Sequence, residues 1–519
     1  MAATGGVAFG LGAPPDGITW LIWLGFAPLV WAAMQLADRS WRTRFVVGWI
    51  GGLGVGMVGF PWIAELLVTF ADAPLPLAGL GLFAFAAWTA VPYGIWCASL
   101  DGRARTGVRA WLWPAVSWVG LATVWPAVFP YTPVIGLAEV PQWLQAAELF
   151  GVPACDAQVV LCGALLAHTL VVSEPRARAL RIAIALAIPL GSYGLGALRM
   201  DAVDREAESA PRVRFGIVQP NVPLMAFDPT DRALRLWAMS YEAERDGAHV
   251  VVWPEAGAFP FHTFRPMTHD FDDPGRRVLQ AHRLPTIFGA ASILRGDRWE
   301  YNTVYAMQAD GRVTGSFDKT ILVPLGEYIP IVDPDWAIDL IPTMSHNQAG
   351  DAPARFVIEP VSGTPVPAPF AVGPLVCYED IFPGFAREVA AQDGGIEAFV
   401  NVTIDTWFGD TAEPWEHLAL AQWRSVEHRI PMVRSVAAGP STVIDHAGRI
   451  QAVLDVRAPT PSQAIDPERL VVDVALPRNT AAAPTIFARG GWMFAWLCVA
   501  ATAAVYVHAL WRRRRPGGA

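Results

Sequence analysis

The stretch GPLVCYEDIFPG, residues 373–384, sets one thiol, Cys377, between an apolar run and the acid Glu379, just before a Pro-Gly turn. A short apolar run that ends at a turn reads as a strand buried on both faces. In α/β proteins the ends of such strands present the reactive side chains. Runs of the same kind surround it: 212–219, 249–256, 285–294, 302–308, 397–405 and 431–438. Residues 232–247 and 414–429 carry helical periodicity, and His446-Ala447-Gly448 reads as the turn of a hairpin. This pattern predicts a two-sheet α/β sandwich with helices outside. The chain has no GxGxxG, no GxxxxGK[ST], no HExxH and no paired CxxC. Nucleotide-binding, P-loop and zinc readings are therefore weak.

On either side of this region the composition changes. The 519 residues are 53% hydrophobic and 16% charged, against roughly 25% charged in soluble domains. The deficit lies in the first 200 residues and in the last 35. A bilayer core takes about 20 apolar residues per helix. Candidate spans are 17–37, 45–70, 77–100, 110–130, 149–172, 180–198 and 485–511. The apolar opening, residues 1–15, is too short to span and lacks the basic start and cleavage site of a signal peptide.

Arginine placement gives an orientation. Arg39, Arg42 and Arg44 follow the first span; Arg103, Arg105 and Arg109 follow the third; Arg176, Arg178 and Arg181 follow the fifth; the tail reads WRRRRPGG. The intervening loops carry none. The positive-inside rule then puts these loops and the tail in the cytoplasm, and the region after about Met200 outside. Glu65, Glu148 and Asp156 stand in or beside spans and are read as interfacial, with lipid head-group binding as the alternative. The net charge of −9 is not concentrated, and no basic stripe suggests nucleic acid.

Cys97, Cys155, Cys162 and Cys498 fall within predicted spans, which leaves Cys377 as the single thiol of the soluble region. A buried structural thiol is one reading. Its neighbours suggest another. Glu255 ends a strand in VVVWPEAGAFPF (250–261), and Lys319 and Glu327 share SFDKTILVPLGEYIP (316–330). An acid, an ammonium and a thiol from three strand ends can serve as base, oxyanion partner and nucleophile. Singly, Glu255 and Lys319 also read as ordinary surface charges.

The order Glu, Lys, Cys, with WPE, DKTILVPLGEYIP and CYE around them, resembles the nitrilase (carbon–nitrogen hydrolase) superfamily. With the flanking spans and WFGD…PWEH (407–417), it resembles the bacterial apolipoprotein N-acyltransferases in particular. The resemblance implies a multi-span α-helical membrane domain (1–199), an extracytoplasmic α/β nitrilase-like αββα sandwich (200–483), a C-terminal transmembrane helix (484–511) and a basic cytoplasmic tail (512–519). It implies Glu255, Lys319 and Cys377 as the catalytic triad, and Glu327, Tyr378, Glu379 and Trp407 as supporting or substrate-binding residues. Glu327 is expected to orient Lys319 or the acceptor amine. No metal or cofactor is expected. The implied partners are a phospholipid acyl donor, a diacylated apolipoprotein acceptor and the bacterial inner membrane, with the catalytic domain on the periplasmic side. A membrane-tethered amidase that acylates water, and a catalytically idle scaffold, are the alternatives. The chain departs from the family pattern at Ile404, Ala437 and Ala438, and Phe227 stands where a Trp is frequent. The segment Thr406–His417 is read either as a mobile arm or as a packed loop.

Overall fold

The computed structural model describes residues 1–70, 72–100, 109–222, 228–294, 299–324, 326–328, 347–366, 368–454, 465–477 and 484–514. Arg103, Arg105, Phe227 and the end of the tail lie outside the described residues. The chain forms two compact units: Met1–Asp201 with Thr485–Ala519, and Ala202–Pro484.

The first unit is helical. Among the described residues, four helices are long and apolar enough to cross a membrane: Leu75–Ser99, Val152–Thr169, Pro175–Ala207 and Phe487–His508. A fifth span counts if Trp41–Gly59 and Trp62–Thr69 act together, bent by 55°. The bend falls at Pro61, which cannot continue a hydrogen-bonded helix. Two predicted spans come out shorter. The helix within 17–37 covers Ile22–Gln35, and that within 110–130 covers Arg109–Val124, ending before Pro126. The run from 149 restarts at Val152 because Gly151 takes φ 73°.

Several polar groups of the helical unit are paired. Arg199 holds Glu148 through two contacts of 2.8 and 2.7 Å, and Asp156 accepts from Thr132 at 2.8 Å. Arg44 is buried. It donates to Ala37 O and Arg39 O, at 3.2 and 2.7 Å, and to Ala98 O at 3.3–3.4 Å.

Among the described residues, the second unit has fourteen strands in two sheets: β1 (Arg212–Gln219), β2 (Val250–Val252), β3 (Thr263–Phe264), β4 (Thr286–Ile293), β5 (Glu300–Met307), β6 (Val313–Asp318), β7 (Asn347–Gln348), β8 (Phe356–Ile358), β9 (Phe370–Val376), β10 (Ala398–Thr403), β11 (Met432–Val436), β12 (Thr442–Ile444), β13 (Ile450–Val453) and β14 (Glu468–Ala475). One sheet runs β14-β1-β2-β4-β5-β6, with β3 on β4 and β7 on β5; the other runs β13-β12-β11-β10-β9-β8. β9, β10 and β11 are parallel.

Alternation along β1 explains the layering. Val213, Phe215 and Ile217 enter the core shared with Val372, Val400 and Val433 of the other sheet. Val218, Val251 and Phe288 face outward and are covered by Leu236 and Ala243 of the helix Pro229–Arg245. On the far side, Phe385 and Val389 of the helix Pro383–Ala390 and Leu418 and Ala421 of the helix Glu413–His428 cover the second sheet. The result is an αββα sandwich.

Candidate active site

Three strand ends carry the three sequence-predicted groups. β2 stops at Val252, ahead of Pro254, and Glu255 follows; β6 delivers Lys319, and β9 delivers Cys377. Cys377 has φ +49° and opens a tight turn, Cys377–Ile381. A non-glycine residue in this left-handed region costs of order 1–3 kcal/mol and is held by its surroundings. Asn401 Nδ2 holds it by donating to Cys377 O at 3.0 Å.

Glu255 is buried and fully engaged. Its Oε1 accepts from Asn302 Nδ2 at 2.6 Å and from Lys319 Nζ at 3.4 Å, and its Oε2 accepts from the Ile404 amide at 2.9 Å. Lys319 is buried as well, and its Nζ lies 2.9 Å from Glu327 Oε1. Glu327 is fixed in turn by the Val323 amide at 2.8 Å and by Asn347 at 3.4 Å. Asn302 also sets the lysine's backbone, since its carbonyl takes the Lys319 N–H at 2.8 Å.

The electrostatics follow from burial and pairing. Burial lifts the Glu255 carboxyl above its ordinary value, against the pull of Lys319. Burial also works against charge on Lys319, but Glu327 and then Glu255 outweigh it and hold the ammonium well above its usual value. Burial and then the Glu255 charge push the Cys377 thiol well up, opposed by Lys319 and a Thr403 hydrogen bond. Cys377 is therefore held as a thiol, and the Glu255 carboxyl that acts on it has raised basicity.

Glu379 is fully buried beneath this centre. Its carboxylate accepts from the amides of Thr320 and Ile321, at 2.6 and 3.0 Å, and of Val376 at 2.8 Å. It thus staples the segment after Lys319 to the residue before Cys377. Burial pushes its carboxyl up to about 8, and the three amide donors oppose the rise. Tyr378 is buried with its ring edge-on to Phe382 at 4.8 Å. Trp407 is 39% exposed and sits in the turn Asp405–Phe408 after β10. Ile404 and Ala437, two of the departures from the family pattern, pack together with Ala258 in one small apolar cluster.

Sequence reading missed Asn302, Asn401 and a buried ionic cluster of Asp380, Asp405, His417 and Arg434. Asp405, Glu413 and His417 place donor atoms within 4.8 Å of one another, a metal-like set. Arg434 already supplies positive charge there: its Nη2 lies 2.7 Å from His417 Nδ1 and 3.3 Å from Asp405 Oδ2. The set is therefore ill-suited to a second cation.

Residues 214–471 match the carbon-nitrogen hydrolase family, and residues 5–165 match the apolipoprotein N-acyltransferase N-terminal domain. An apolipoprotein N-acyltransferase of Allorhizobium ampelinum is 30% identical, over 88% of this chain and 88% of its own. One of Brucella melitensis is 31% identical, over 86% of this chain and 85% of its own. Among solved structures, a Saccharomyces cerevisiae member of branch 10 of the nitrilase superfamily is similar at a TM-score of 0.38 and 15% identity, covering 51% of this chain and 90% of that one. Alike in sequence to such relatives over most of its length, the chain belongs to the apolipoprotein N-acyltransferase family.

Proposed function

We propose that this chain transfers a fatty acyl group from a membrane phospholipid to the N-terminal amine of a diacylglyceryl-cysteine on apolipoproteins, with Glu255, Lys319 and Cys377 as the reacting groups of a ping-pong cycle. One observation carries the reading: a thiol, a buried ammonium and a buried carboxylate stand at three strand ends of one unit, with Lys319 bonded to Glu255 and its charge acting on Cys377. Family membership supplies the acceptor and donor classes. The apolar helices on both sides of the unit in sequence suit substrates that are themselves anchored in a bilayer. The arginine pattern favours an inner-membrane protein with the Ala202–Pro484 unit on the periplasmic side.

In the first half-reaction Glu255 takes the Sγ proton, and the sulfur bonds to the ester carbonyl carbon. The oxyanion that forms faces the Lys319 ammonium, a type of contact typically worth about 3 kcal/mol. The C–O bond to the glycerol breaks, and the proton on Glu255 passes to the departing lysophospholipid oxygen. In the second half, the lipoprotein α-amine attacks the thioester carbon. Glu255 takes the proton lost by nitrogen, the C–S bond breaks, and the proton returns to the Cys377 sulfur. Glu327 keeps the ammonium aimed.

The test is to stall the cycle. With phospholipid and no acceptor, intact-mass analysis is expected to show one added acyl group, released by neutral hydroxylamine as a thioester is. A diacylated lipopeptide then discharges it as an amide. Cys377→Ala removes the adduct. An adduct that persists in Cys377→Ala, or that discharges only to water, defeats the reading.

A further inference from the structure

The ionic cluster missed in the sequence has a specific connectivity. His417 Nε2 lies 2.9 Å from Asp380 Oδ1, and its Nδ1 edge meets Arg434 Nη2 at 2.7 Å and Asp405 Oδ1 at 3.3 Å. Arg434 reaches Asp405 Oδ2 at 3.3 Å and stands 3.6 Å from Asp380 Oδ2. All four side chains are buried. The two aspartates are not equivalent in the chain. Asp380 lies in the turn that Cys377 opens. Asp405 directly follows Ile404, whose amide holds Glu255 Oε2. The cluster thus joins the turn that carries the thiol to the turn that holds the proposed base.

We infer that His417 is a positioning residue that clamps these two turns and so fixes the nucleophile relative to its base. Arg434 can only donate, so at 2.7 Å Nδ1 accepts from it and Nε2–H donates to Asp380, even though, against burial and the Arg434 charge, Asp380 and Asp405 lift the ring's pKa to about 10. The imidazole then acts as a rigid spacer, anchored on the helix Glu413–His428. Glu413 and Glu416, on that same helix, are also buried beside it, and burial holds the Glu413 carboxyl well above its ordinary value. Arg434 is the counter-charge among these groups, arriving from β11. His417 acts through these two turns, while the Asp405 and Arg434 charges also bear on the thiol; a misplacement of about 1 Å can cost on the order of a hundredfold in rate.

The inference rests on Cys377 being the acylated residue, so Cys377→Ala is measured in parallel. In His417→Ala, the kcat for acyl transfer from phospholipid to Cys377 is expected to fall about tenfold to a hundredfold, with the phospholipid KM within about twofold. His417→Gln is expected to recover most of the rate. Its amide N–H2 reaches Asp380 and its carbonyl accepts from Arg434, whereas a role limited to filling space gives no such distinction. Asp380→Asn gives a milder loss, and the double variant with His417→Ala is no slower than the slower single. If His417→Ala does not fold, the glutamine and asparagine variants decide the matter. Wild-type acylation in Asp380→Asn, a loss confined to KM, or a His417→Gln as impaired as His417→Ala overturns the clamp. An adduct in Cys377→Ala overturns the catalytic reading instead.

Discussion

Asn302 shows how one residue organises the site. Its side chain donates to Glu255, and its carbonyl takes the amide of Lys319. The hydrogen bond to Glu255 favours the ionised carboxylate, against burial, which lifts the carboxyl above its ordinary value. Glu255 must be ionised to take the thiol proton, so acylation is expected to fall as pH drops through that raised value. Asn302→Ala removes a stabiliser of the charged form. The acid limb of the acylation profile should therefore move to higher pH, by roughly one unit if the bond contributes about 1.5 kcal/mol. A limb that stays in place or moves to lower pH refutes the role. Glu255, Lys319 and Cys377 were legible because each sits in a distinctive motif at a strand end. Asn302 was not, since within the strand Glu300–Met307 it looks like any other polar position. The His417 cluster was hidden for a related reason: its members meet only in the fold, and His417 and Asp380 are 37 residues apart.

At the scale of elements, the buried strands were the most legible part, because continuous apolar runs leave few alternatives. β6 and β14 were not read from the sequence; β6 interleaves polar and apolar residues, β14 opens on Glu468 and Arg469, and both are only partly buried. β8 has three residues, too few to show a period. What periodicity cannot show is how one strand end is held against another. Glu379 does this by accepting three amides from two segments, after β6 and at the end of β9. A glutamine there keeps a single acceptor oxygen and turns an N–H2 toward at least one of these donors. An unsatisfied buried amide costs about 1–3 kcal/mol. Glu379→Gln is thus expected to lower the melting temperature by several degrees, at roughly 2–4 °C per kcal/mol for a domain of this size. It should also slow acylation, because the lysine and thiol segments lose their common anchor. Unchanged melting and unchanged turnover together would falsify the staple.

For the whole molecule, the question is which side of the membrane each end of a helix faces. The arginine alternation was read from loops alone, and Arg103 and Arg105 lie outside the described residues. Arg44 supplies an independent geometric constraint. It stands near the start of the helix Trp41–Gly59 and bonds Ala37 O and Arg39 O, just after the helix Ile22–Gln35. It also bonds Ala98 O, near the end of Leu75–Ser99. One buried guanidinium therefore gathers three helix ends at a single side of the helical unit. These are the ends flanking the first and third loops, two of those that the alternation assigns to the cytoplasm. A helix that starts and a helix that ends beside the same side chain cannot open on opposite faces of a bilayer. On the arginine alternation, the loop at 72–74, at the other end of Leu75–Ser99, is expected to face outward, and a tail of arginines after the last span favours the inside. Reporters that are active only in the periplasm are expected to work when fused at 73 and to be silent when fused after Arg514. A reporter active only in the cytoplasm should give the reverse pattern. Equal activity at both sites, or a periplasmic signal after Arg514, would place the terminal helix the other way round. The Ala202–Pro484 unit, which precedes it, would then lie in the cytoplasm, where its lipoprotein acceptors could not reach Cys377.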